Sequence, residues 1–415
     1  MVHPQHPDED AVEDMTRKLL SRKNDSKKTK TVLVPNPIRV GVRRRKTETN
    51  KFTVDLKKIL KIVSLISALT SKSRKAAESK DRAAASILGY WLRLSEQRGH
   101  ANTISRIKAI RVIVMQYISS SPVLKTPDHR MGYTKEGIPN DLLAVKDLIL
   151  GRNVDDLRFV LTLLQFSKFL NHKPLPDLKT ISTPCSVDLD GPRKAFSEFI
   201  ERGLTCLKVV PTEVQWDTPH LSTKAGPTGM ALDSAAREVH YLSDQMIEDI
   251  RNMGGEPLYE WLSEVKRFPL ELNDTNPPRD QILRKLSFVH DPEGKTRVIA
   301  IFDYWTQSAL LPLHRLTNRI LKGIEMDCTF NQDSFRSRIP TGCQHWSLDM
   351  TACTDRLPAV MQRDVLSKLL KSETKADSWL RLMVDHEFIT SWDSKLRTKY
   401  AVGQPMGAYS SWTTM

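Results

Sequence analysis

Apolar residues in the first part of the chain recur at intervals of three and four positions. Two such stripes are formed by Leu56, Ile59, Leu60 and Val63, and by Ile104, Ile107, Ile110 and Val114. This spacing places apolar side chains on one face of a helix. Beyond a Gly- and Pro-containing loop at 126–140, the apolar pattern resumes and continues to residue 171. The pattern therefore predicts a helical region over residues 51–171.

The second half of the chain has a different period. Short apolar runs flank the turn-forming sequence Asp291-Pro292-Glu293-Gly294, which predicts a β-hairpin over 286–302. A buried strand is predicted at 345–350, and a second hairpin at 388–402 precedes a glycine-rich loop that enters a helix. Further helices are predicted near 193–205, 230–252, 256–266, 304–322 and 358–371. The expected fold class is α/β, in the α+β sense, with a helical N-terminal half.

Charge is distributed unevenly along the chain. The 415 residues contain 63 Lys and Arg against 49 Asp and Glu, a net charge of +14. This excess favours a polyanionic partner, with nucleic acid first and an acidic membrane surface second. Residues 16–50 contain twelve basic and two acidic residues. We expect residues 1–50 to form a disordered basic arm, either a solubilising tail or a phosphate-binding arm.

Composition argues against several classes of protein. No apolar run approaches the ~18 residues of a membrane-spanning helix, so we expect no membrane span. The five cysteines include no CxxC pair, which argues against a disulfide framework or a zinc knuckle and favours a reducing compartment. The first fifteen residues carry five acids and no Lys or Arg, which is unlike a mitochondrial presequence or a secretory signal.

The segment Ser347–Arg356 places two carboxylates six positions apart. Asp349 ends the predicted strand, and Asp355 follows a turn of small residues just before a helix. A carboxylate at a strand end is well placed to hold a divalent metal ion, and an acid at a helix start is electrostatically favoured. The alternative is that Asp355 caps a helix and Asp349 is an ordinary loop acid. The segment alone leaves both interpretations open.

Two further segments carry candidate ligand-binding residues. Lys295 and Arg297 lie two positions apart on a predicted strand, so both side chains point to one face and could grip a triphosphate. The alternative is a solvated hairpin edge, where Lys is common. Gly403 and Gly407 flank Pro405 in a loop that could approach a ligand closely. The alternative there is a tight turn from a strand to a helix.

Together and in this order, the three segments resemble the RNA-dependent RNA polymerases of mitoviruses, in the narnavirus-like group. Lys295–Ala300 with Asp303–Gln307 is similar to polymerase motif F and its extension, Asp349–Arg356 to motif A, and Gly403–Trp412 to motif B. Lys224–Pro227 and Thr329–Asp333 are similar to further stretches of the family. The resemblance extends from about residue 155 to the end, and motif B is its most specific part.

The resemblance implies a right-hand polymerase fold, of which the chain carries the fingers and a partial palm. On this basis we divide the chain into four segments. They are the basic arm (1–50), a helical N-terminal region (51–171), a fingers-like region with motif F (172–340), and a partial palm with motifs A and B (341–415). Motif C and the thumb are missing from the expected set.

The implied reaction is nucleotidyl transfer directed by an RNA template, with NTPs as substrates and RNA as product. The resemblance implies two Mg²⁺ ions, with Mn²⁺ as the alternative ion. Asp349 would bridge both metal ions, and the backbone carbonyl of Met350 could add a ligand. The family name implies a mitochondrial location. The oligomeric state does not follow from the sequence.

The resemblance also implies how the nucleotide is bound. Lys295 and Arg297 would neutralise the triphosphate as negative charge develops. Asp355 and a motif B hydroxyl, from Ser410 or Ser411, would contact the ribose 2′-hydroxyl that distinguishes NTP from dNTP. The two glycines of the motif B loop, Gly403 and Gly407, would complete the nucleotide-binding site.

One departure from the family pattern affects the function. The family's motif C, a Gly-Asp-Asp sequence, occurs nowhere in the 415 residues, and Asp155-Asp156 lies before motif A in a helical pattern. We therefore expect a fragment, or a degenerate copy integrated in a host genome, with little or no polymerisation by itself. The first alternative function is a non-catalytic RNA-binding remnant. A reverse transcriptase or intron maturase ranks lower, because Asp355 stands where such enzymes usually place a bulky aromatic residue.

Overall fold

The computed structural model describes residues 52–120, 131–206, 214–268, 281–340, 342, 346 and 348–415. The predicted basic arm at 1–50 lies outside this part of the chain. The chain divides into two compact units. One unit consists of residues up to Pro174 together with His290–Lys295, and the other consists of Leu175–Val289 and Thr296–Met415.

The first unit is helical. Its helices are α1 (Phe52–Leu69), α2 (Arg74–Arg98), α3 (His100–Ile118), α4 (Lys146–Leu150) and α5 (Val154–Leu163). Turns of 3-10 helix at Asn140–Val145 and Leu164–Phe169 continue the helical path. The helices predicted from the apolar spacing within 51–171 are therefore confirmed.

Local chemistry explains where two of these helices begin. The Ser73 hydroxyl accepts a hydrogen bond from the Ala76 amide (3.3 Å) and caps the start of α2. Gly99 both ends α2 and precedes α3, with a φ of +83° that an L-residue rarely adopts. The apolar faces meet in a core whose members include Trp91, Ile107, Ile110, Leu142 and Phe159. Burial of these faces, rather than helix propensity alone, stabilises the unit.

The second unit contains most of the predicted second-half helices. They are α6 (Lys179–Ser182), α7 (Asp190–Cys206), α8 (Ala231–Glu238), α9 (Asp244–Gly254), α10 (Glu256–Lys266), α11 (Tyr304–Gly323), α12 (Cys353–Arg356), α13 (Ala359–Leu370) and α14 (Glu373–Val384). The predictions near 193–205, 256–266, 304–322 and 358–371 are confirmed. The predicted helix at 230–252 is divided into α8 and α9 by a 3-10 turn, Val239–Tyr241.

Four short strands form one mixed sheet. They are β1 (Arg284–Asp291), β2 (Lys295–Phe302), β3 (Phe388–Thr390) and β4 (Arg397–Thr398), in the order β2-β1-β3-β4. A three-residue turn joins β1 to β2, as the hairpin prediction required. The strands β1 and β3 pair in parallel, and β3 and β4 pair antiparallel. The second hairpin is thus confirmed but is shorter than the predicted 388–402.

A cluster of buried charges fixes the start of α11. Asp303 caps the helix by accepting a hydrogen bond from the Thr306 amide (2.8 Å), and it forms a fully buried ion pair with Arg284. The Glu238 carboxylate accepts a hydrogen bond from the Tyr304 amide (2.8 Å). Burial, reinforced by the nearby charge of Asp303, raises the pKa of Glu238 to about 7. The cluster holds the end of β2 and the beginning of α11 in a single geometry.

Two predictions about secondary structure are wrong. Among residues 345–350, those that the structure describes do not form a strand, and Leu348 is 92% exposed. A short apolar run becomes a strand only where another strand pairs with it, and the sheet of the described residues consists of β1 to β4, with no strand from 345–350. Residues 409–414 form consecutive turns instead of a helix. The sequence pattern also missed α14.

None of the described helices combines the length and the apolar character that a membrane crossing requires.

Candidate functional site

The motif B loop lies directly against strand β2. The Ala300 amide donates a hydrogen bond to the Met406 carbonyl (2.7 Å). Gly407 has a φ of +123°, and a Cβ at this position would lie 2.3 Å from the Ala300 carbonyl oxygen. Only glycine permits this approach without moving the strand. The structure therefore brings together two of the segments that the sequence singled out, motif F and motif B.

Gln307, on the first turn of α11, holds the same loop with both ends of its side-chain amide. Its Nε2 donates to the Gly407 carbonyl (3.0 Å), and its Oε1 accepts from the Tyr409 amide (2.9 Å). A single amide group thus satisfies a donor and an acceptor of the loop backbone. Because α11 starts at the end of β2, Gln307 ties the motif F extension to motif B.

The other end of the motif B loop packs against motif A. The Gly403 amide donates to the Asp355 carbonyl (3.0 Å), and the Gln404 amide donates to the Thr354 carbonyl (2.9 Å). A Cβ at Gly403 would lie 2.2 Å from the Thr354 carbonyl oxygen. The contact is backbone against backbone, which explains why this position carries a glycine. Asp355 and Gly403, both predicted site residues, are therefore neighbours.

The Asp355 side chain is partly buried and has a specific partner. Its Oδ2 accepts a hydrogen bond from the Thr180 hydroxyl (2.6 Å), in helix α6. Burial raises the pKa of Asp355, although the Thr180 hydrogen bond and the charge of Arg356 act in the opposite direction. The Arg356 guanidinium donates to the Thr183 and Pro184 backbone carbonyls. The motif A helix α12 is thus attached to the segment around α6.

The two motif B serines are buried. The Ser410 hydroxyl accepts a hydrogen bond from Trp379 Nε1 (3.0 Å), and its φ of +70° is unusual for a residue with a side chain. Ser411 is 7% exposed, and its backbone carbonyl accepts from Gln404 Nε2 (2.7 Å). Gln404 Nε2 also donates to Gln362 Oε1 (2.6 Å). This network determines the shape of the loop from inside.

Lys295 and Arg297 lie where the strand pattern predicts. Both belong to β2, and both are exposed while Thr296 between them is half-buried. Side chains two positions apart on a strand share a face. The face that carries the two cations is therefore accessible to a ligand.

Asp349 and Met350 do not lie at the end of a strand, contrary to the prediction. Both residues are exposed on an irregular segment before α12. Among the described residues, no three His, Cys, Asp or Glu side chains are grouped so that they could hold a metal ion. Within the described residues, Asp349 is therefore not part of a three-residue ligand group of this kind. Whether Asp349 and Met350 bind a metal ion stays a prediction.

Several residues that shape the site carried no signal in the sequence. Thr180 contacts Asp355 from a position 175 residues away along the chain. Gln362 and Gln404 form a fully or nearly fully buried amide pair. A lone Thr or Gln has no local pattern that marks it, so only the tertiary fold shows these roles.

Comparison with known proteins agrees with the three motifs. Residues 213–415 match the family model for the mitovirus RNA-dependent RNA polymerase. This part of the chain, which contains all the motif residues described above, is similar to the mitovirus RNA-dependent RNA polymerase domain. The resemblance drawn from the motifs is thereby confirmed.

One curated relative adds detail. The chain is 38% identical over 149 residues to the RNA-directed RNA polymerase of Cryphonectria parasitica mitovirus 1. The alignment covers 32% of this chain and 17% of that protein. The chain therefore aligns with less than a fifth of the length of its curated relative. No solved structure matches the chain significantly.

Proposed function

We propose that the chain acts in RNA-directed RNA synthesis of the mitovirus type, and that its motif F, A and B residues bind the incoming NTP. The observation that carries the proposal is the joining of motifs F, A and B by backbone hydrogen bonds to one loop, at Ala300–Met406 and Gly403–Asp355. Three segments that lie up to about 106 residues apart in the chain meet at this loop, as a nucleotide site requires. Assignment of 172–340 to fingers and 341–415 to a partial palm belongs to the same proposal.

In the proposed site, Lys295 and Arg297 bind the triphosphate. Both cations are exposed on one face of β2, and β2 is hydrogen-bonded to the motif B loop. Fixed positive charges stabilise the negative charge that builds up when a primer 3′-hydroxyl attacks the α-phosphate and pyrophosphate leaves. Template and product RNA are the proposed macromolecular partners.

Asp355 is the proposed sensor of the ribose 2′-hydroxyl. Its carboxylate already accepts a hydrogen bond from a hydroxyl group, that of Thr180. A carboxylate has further lone pairs, so it can accept a second hydrogen bond from the ribose. Of the motif B hydroxyls, Ser410 is bonded to Trp379 and Ser411 is buried. We keep both serines as candidates that would need a local rearrangement of the loop.

Divalent metal ions belong to the proposal through the family resemblance. The described residues do not fit such a site by themselves, because no three of their His, Cys, Asp or Glu side chains are grouped around Asp349 and the Met350 carbonyl alone cannot complete a ligand set. We therefore derive no step of the reaction through Mg²⁺ or Mn²⁺. Low or absent polymerisation by the chain alone is part of the proposal.

A second candidate function is a non-catalytic RNA-binding remnant, such as an integrated viral gene would encode. The exposed, ungrouped position of Asp349 favours it. Template-dependent incorporation is the property that separates the two candidates. A mitochondrial location is proposed from the family name alone. A reverse transcriptase or intron maturase remains the less favoured alternative.

The test of the main proposal is single-nucleotide incorporation on an RNA primer–template. It uses the chain extended with the C-terminal part of the Cryphonectria parasitica mitovirus 1 polymerase. We expect Asp349→Ala to reduce incorporation of every nucleotide by about 10³-fold or more, comparable with the loss of a key electrostatic group. Asp155→Ala, which changes an exposed acid on α5 outside the motifs, is the matched control. Full activity of Asp349→Ala would contradict the assignment.

Asp355 is expected to behave differently in the same assay. Asp355→Ala should lower the preference for NTP over dNTP by roughly 5- to 150-fold, the equivalent of one lost hydrogen bond of ~1–3 kcal/mol. Thr180→Val, which removes the hydroxyl partner of Asp355 but no charge, should change the preference less. Equal slowing of NTP and dNTP use by Asp355→Ala would show that the residue does not read the ribose.

A further inference from the structure

The turn between β1 and β2 has an unusual residue at its centre. Glu293 has a φ of +64°, in the left-handed region that Gly or Asn usually occupies. Gly294 follows with a φ of +69°, and a Cβ there would lie 2.5 Å from His172 Cδ2. A glutamate at such a position costs conformational free energy. Its presence therefore requires a compensating contact.

The compensating contact is a set of donors from the helical unit. Arg111 on α3 donates to both carboxylate oxygens of Glu293, at 2.9 and 3.1 Å. The Ser167 hydroxyl donates to the same carboxylate, and Lys108 Nζ lies 3.8 Å away. The Glu293 side chain is only 12% exposed. Two hydrogen bonds from one guanidinium, together with a third donor, fix both the orientation and the position of the Glu293 carboxylate.

The turn is placed so that this contact affects the proposed nucleotide site. Lys295, the first residue of β2, is two positions after Glu293, and Arg297 is four positions after it. His290–Lys295 groups with the helical unit and not with the rest of the hairpin. The turn that precedes Lys295 is therefore attached, through Glu293, to α3 and to the 3-10 turn at Leu164–Phe169.

We propose that Glu293 is a positioning residue, held by Arg111 and Ser167, that fixes the direction in which Lys295 reaches a bound triphosphate. The proposal rests on the proposed function, because it assumes that Lys295 binds the nucleotide. Glu293 does not itself touch the ligand. Burial by itself would raise the pKa of Glu293, but the hydrogen bonds from Arg111 and Ser167 outweigh it and hold the pKa below its ordinary value, so the carboxylate is charged at neutral pH.

The test measures binding of an ATP analogue that carries its fluorophore on the adenine ring, by fluorescence anisotropy with the full chain. Glu293→Gln and Arg111→Gln should each weaken binding about tenfold. The double variant should be no weaker than the weaker single variant, because both residues act through one contact. Glu136→Gln is the matched control, since Glu136 also pairs with a basic residue of the helical unit, Lys146, at 3.1 Å. It should leave the affinity unchanged.

A second measurement separates positioning from general stability. Glycine adopts the left-handed conformation at position 293 without strain, and this gain offsets part of the loss of the carboxylate contacts. The melting temperature of Glu293→Gly should therefore stay within a few degrees of that of the unchanged chain. Binding should still weaken about tenfold, and amide hydrogen exchange of residues 295–300 should accelerate. Unchanged affinity in Glu293→Gly and Glu293→Gln would overturn the positioning role.

Lys295→Ala distinguishes this failure from failure of the proposed function. If Lys295→Ala weakens binding and the Glu293 variants do not, only the positioning role is wrong. If Lys295→Ala also leaves the affinity unchanged, the cations do not bind the triphosphate. In that case both the nucleotide-binding assignment and the inference that rests on it are overturned.

Discussion

Gln307 illustrates how a single side chain can join two motifs. Its side-chain nitrogen donates to the Gly407 carbonyl, and its side-chain oxygen accepts from the Tyr409 amide. A side chain with two acceptors or two donors would therefore lose one of these two hydrogen bonds. The two bonds are formed with backbone groups, so they depend on the loop conformation and not on the identity of neighbouring side chains. A side chain of this kind is sensitive to very conservative substitution.

We expect Gln307→Glu to destabilise the motif B loop. The carboxylate still accepts from the Tyr409 amide but faces the Gly407 carbonyl without a proton to donate. The free energy of unfolding should fall by roughly 1–3 kcal/mol, the cost of leaving one polar group unsatisfied. Denaturant titration measures the change. Gln97→Glu, at an exposed position on α2, is the control, and a loss of similar size in both variants would contradict the assignment.

Glu238 shows how burial makes a carboxylate sensitive to pH. Its folded-state pKa of about 7 lies above the ordinary value of 4.5. The folded protein therefore binds more protons than the unfolded chain between these pH values, and its contribution to stability is lost as pH rises from about 4.5 to about 7. The Ser234 hydroxyl donates to Glu238 Oε1 (2.7 Å) when the carboxylate is ionised, and the same hydroxyl can accept a hydrogen bond from the carboxyl group once Glu238 is protonated.

The corresponding variant is Glu238→Gln. The amide oxygen can accept from Tyr304 while the amide nitrogen donates to the Ser234 hydroxyl, so the hydrogen bonds survive. We expect the free energy of unfolding at pH 8 to rise relative to the unchanged chain, by on the order of 2 kcal/mol. At pH 4.5 the two proteins should be nearly equal. The same stability difference at both pH values would show that Glu238 does not titrate as described.

At the scale of elements, the motif B loop depends on glycine at two points of backbone contact. Gly403 meets motif A, and Gly407 meets β2. In each case the obstacle to a side chain is a carbonyl oxygen of another segment and not a flexible side chain. The neighbouring backbone must therefore move if a methyl group is added.

Gly403→Ala and Gly407→Ala should each lower the free energy of unfolding by several kcal/mol, because the added Cβ displaces a hydrogen-bonded segment. Gly229→Ala is the matched control, since a Cβ there meets nothing within 4 Å. It should change stability by less than about 0.5 kcal/mol. Thermal unfolding of the three variants measures the difference. Equal melting temperatures for all three would contradict the close approach.

Comparison of two predicted strands shows what the sequence can and cannot determine. The hairpin formed by β1 and β2 was predictable because Asp291-Pro292-Glu293-Gly294 encodes the turn and the partner strands are adjacent. The strand at 345–350 was predicted from an apolar run alone. An apolar run encodes the tendency to be buried but not the partner, and this one finds none among the described strands.

The same distinction applies to the candidate site. Lys295 and Arg297 could be placed on one face because strand geometry is local. The contacts of Asp355 with Thr180 and of Glu293 with Arg111 join positions 175 and 182 residues apart. Long-range pairs of single polar residues leave no periodic signal, so the fold alone shows them.

At the scale of the whole molecule, charge predicts a further property. The net charge of +14 and the twelve basic residues within 16–50 favour binding to RNA without strong sequence preference. Each phosphate contact adds to the dependence of affinity on salt. If the arm at 1–50 contacts RNA, it therefore contributes a measurable share of the slope of log affinity against log salt concentration.

We expect deletion of residues 1–50 to reduce the slope of log affinity against log salt concentration. Filter binding of a single-stranded RNA at several salt concentrations measures it, and each lost phosphate contact lowers the slope by about 0.7 for single strands. The control is Lys58→Ala with Lys61→Ala, which removes two exposed charges from α1. An unchanged slope after deletion would identify the arm as a solubilising tail.

The parallel pairing of β1 with β3 has a consequence for synthesis on the ribosome. Leu286 pairs with Thr390 across about 100 residues of chain, whereas β2 follows β1 at once. At ~5–20 residues per second, β1 waits roughly 5–20 s for its second neighbour. During that interval the nascent hairpin has an open backbone edge, which favours pairing with other chains. Newly made protein should therefore need a chaperone until β3 emerges.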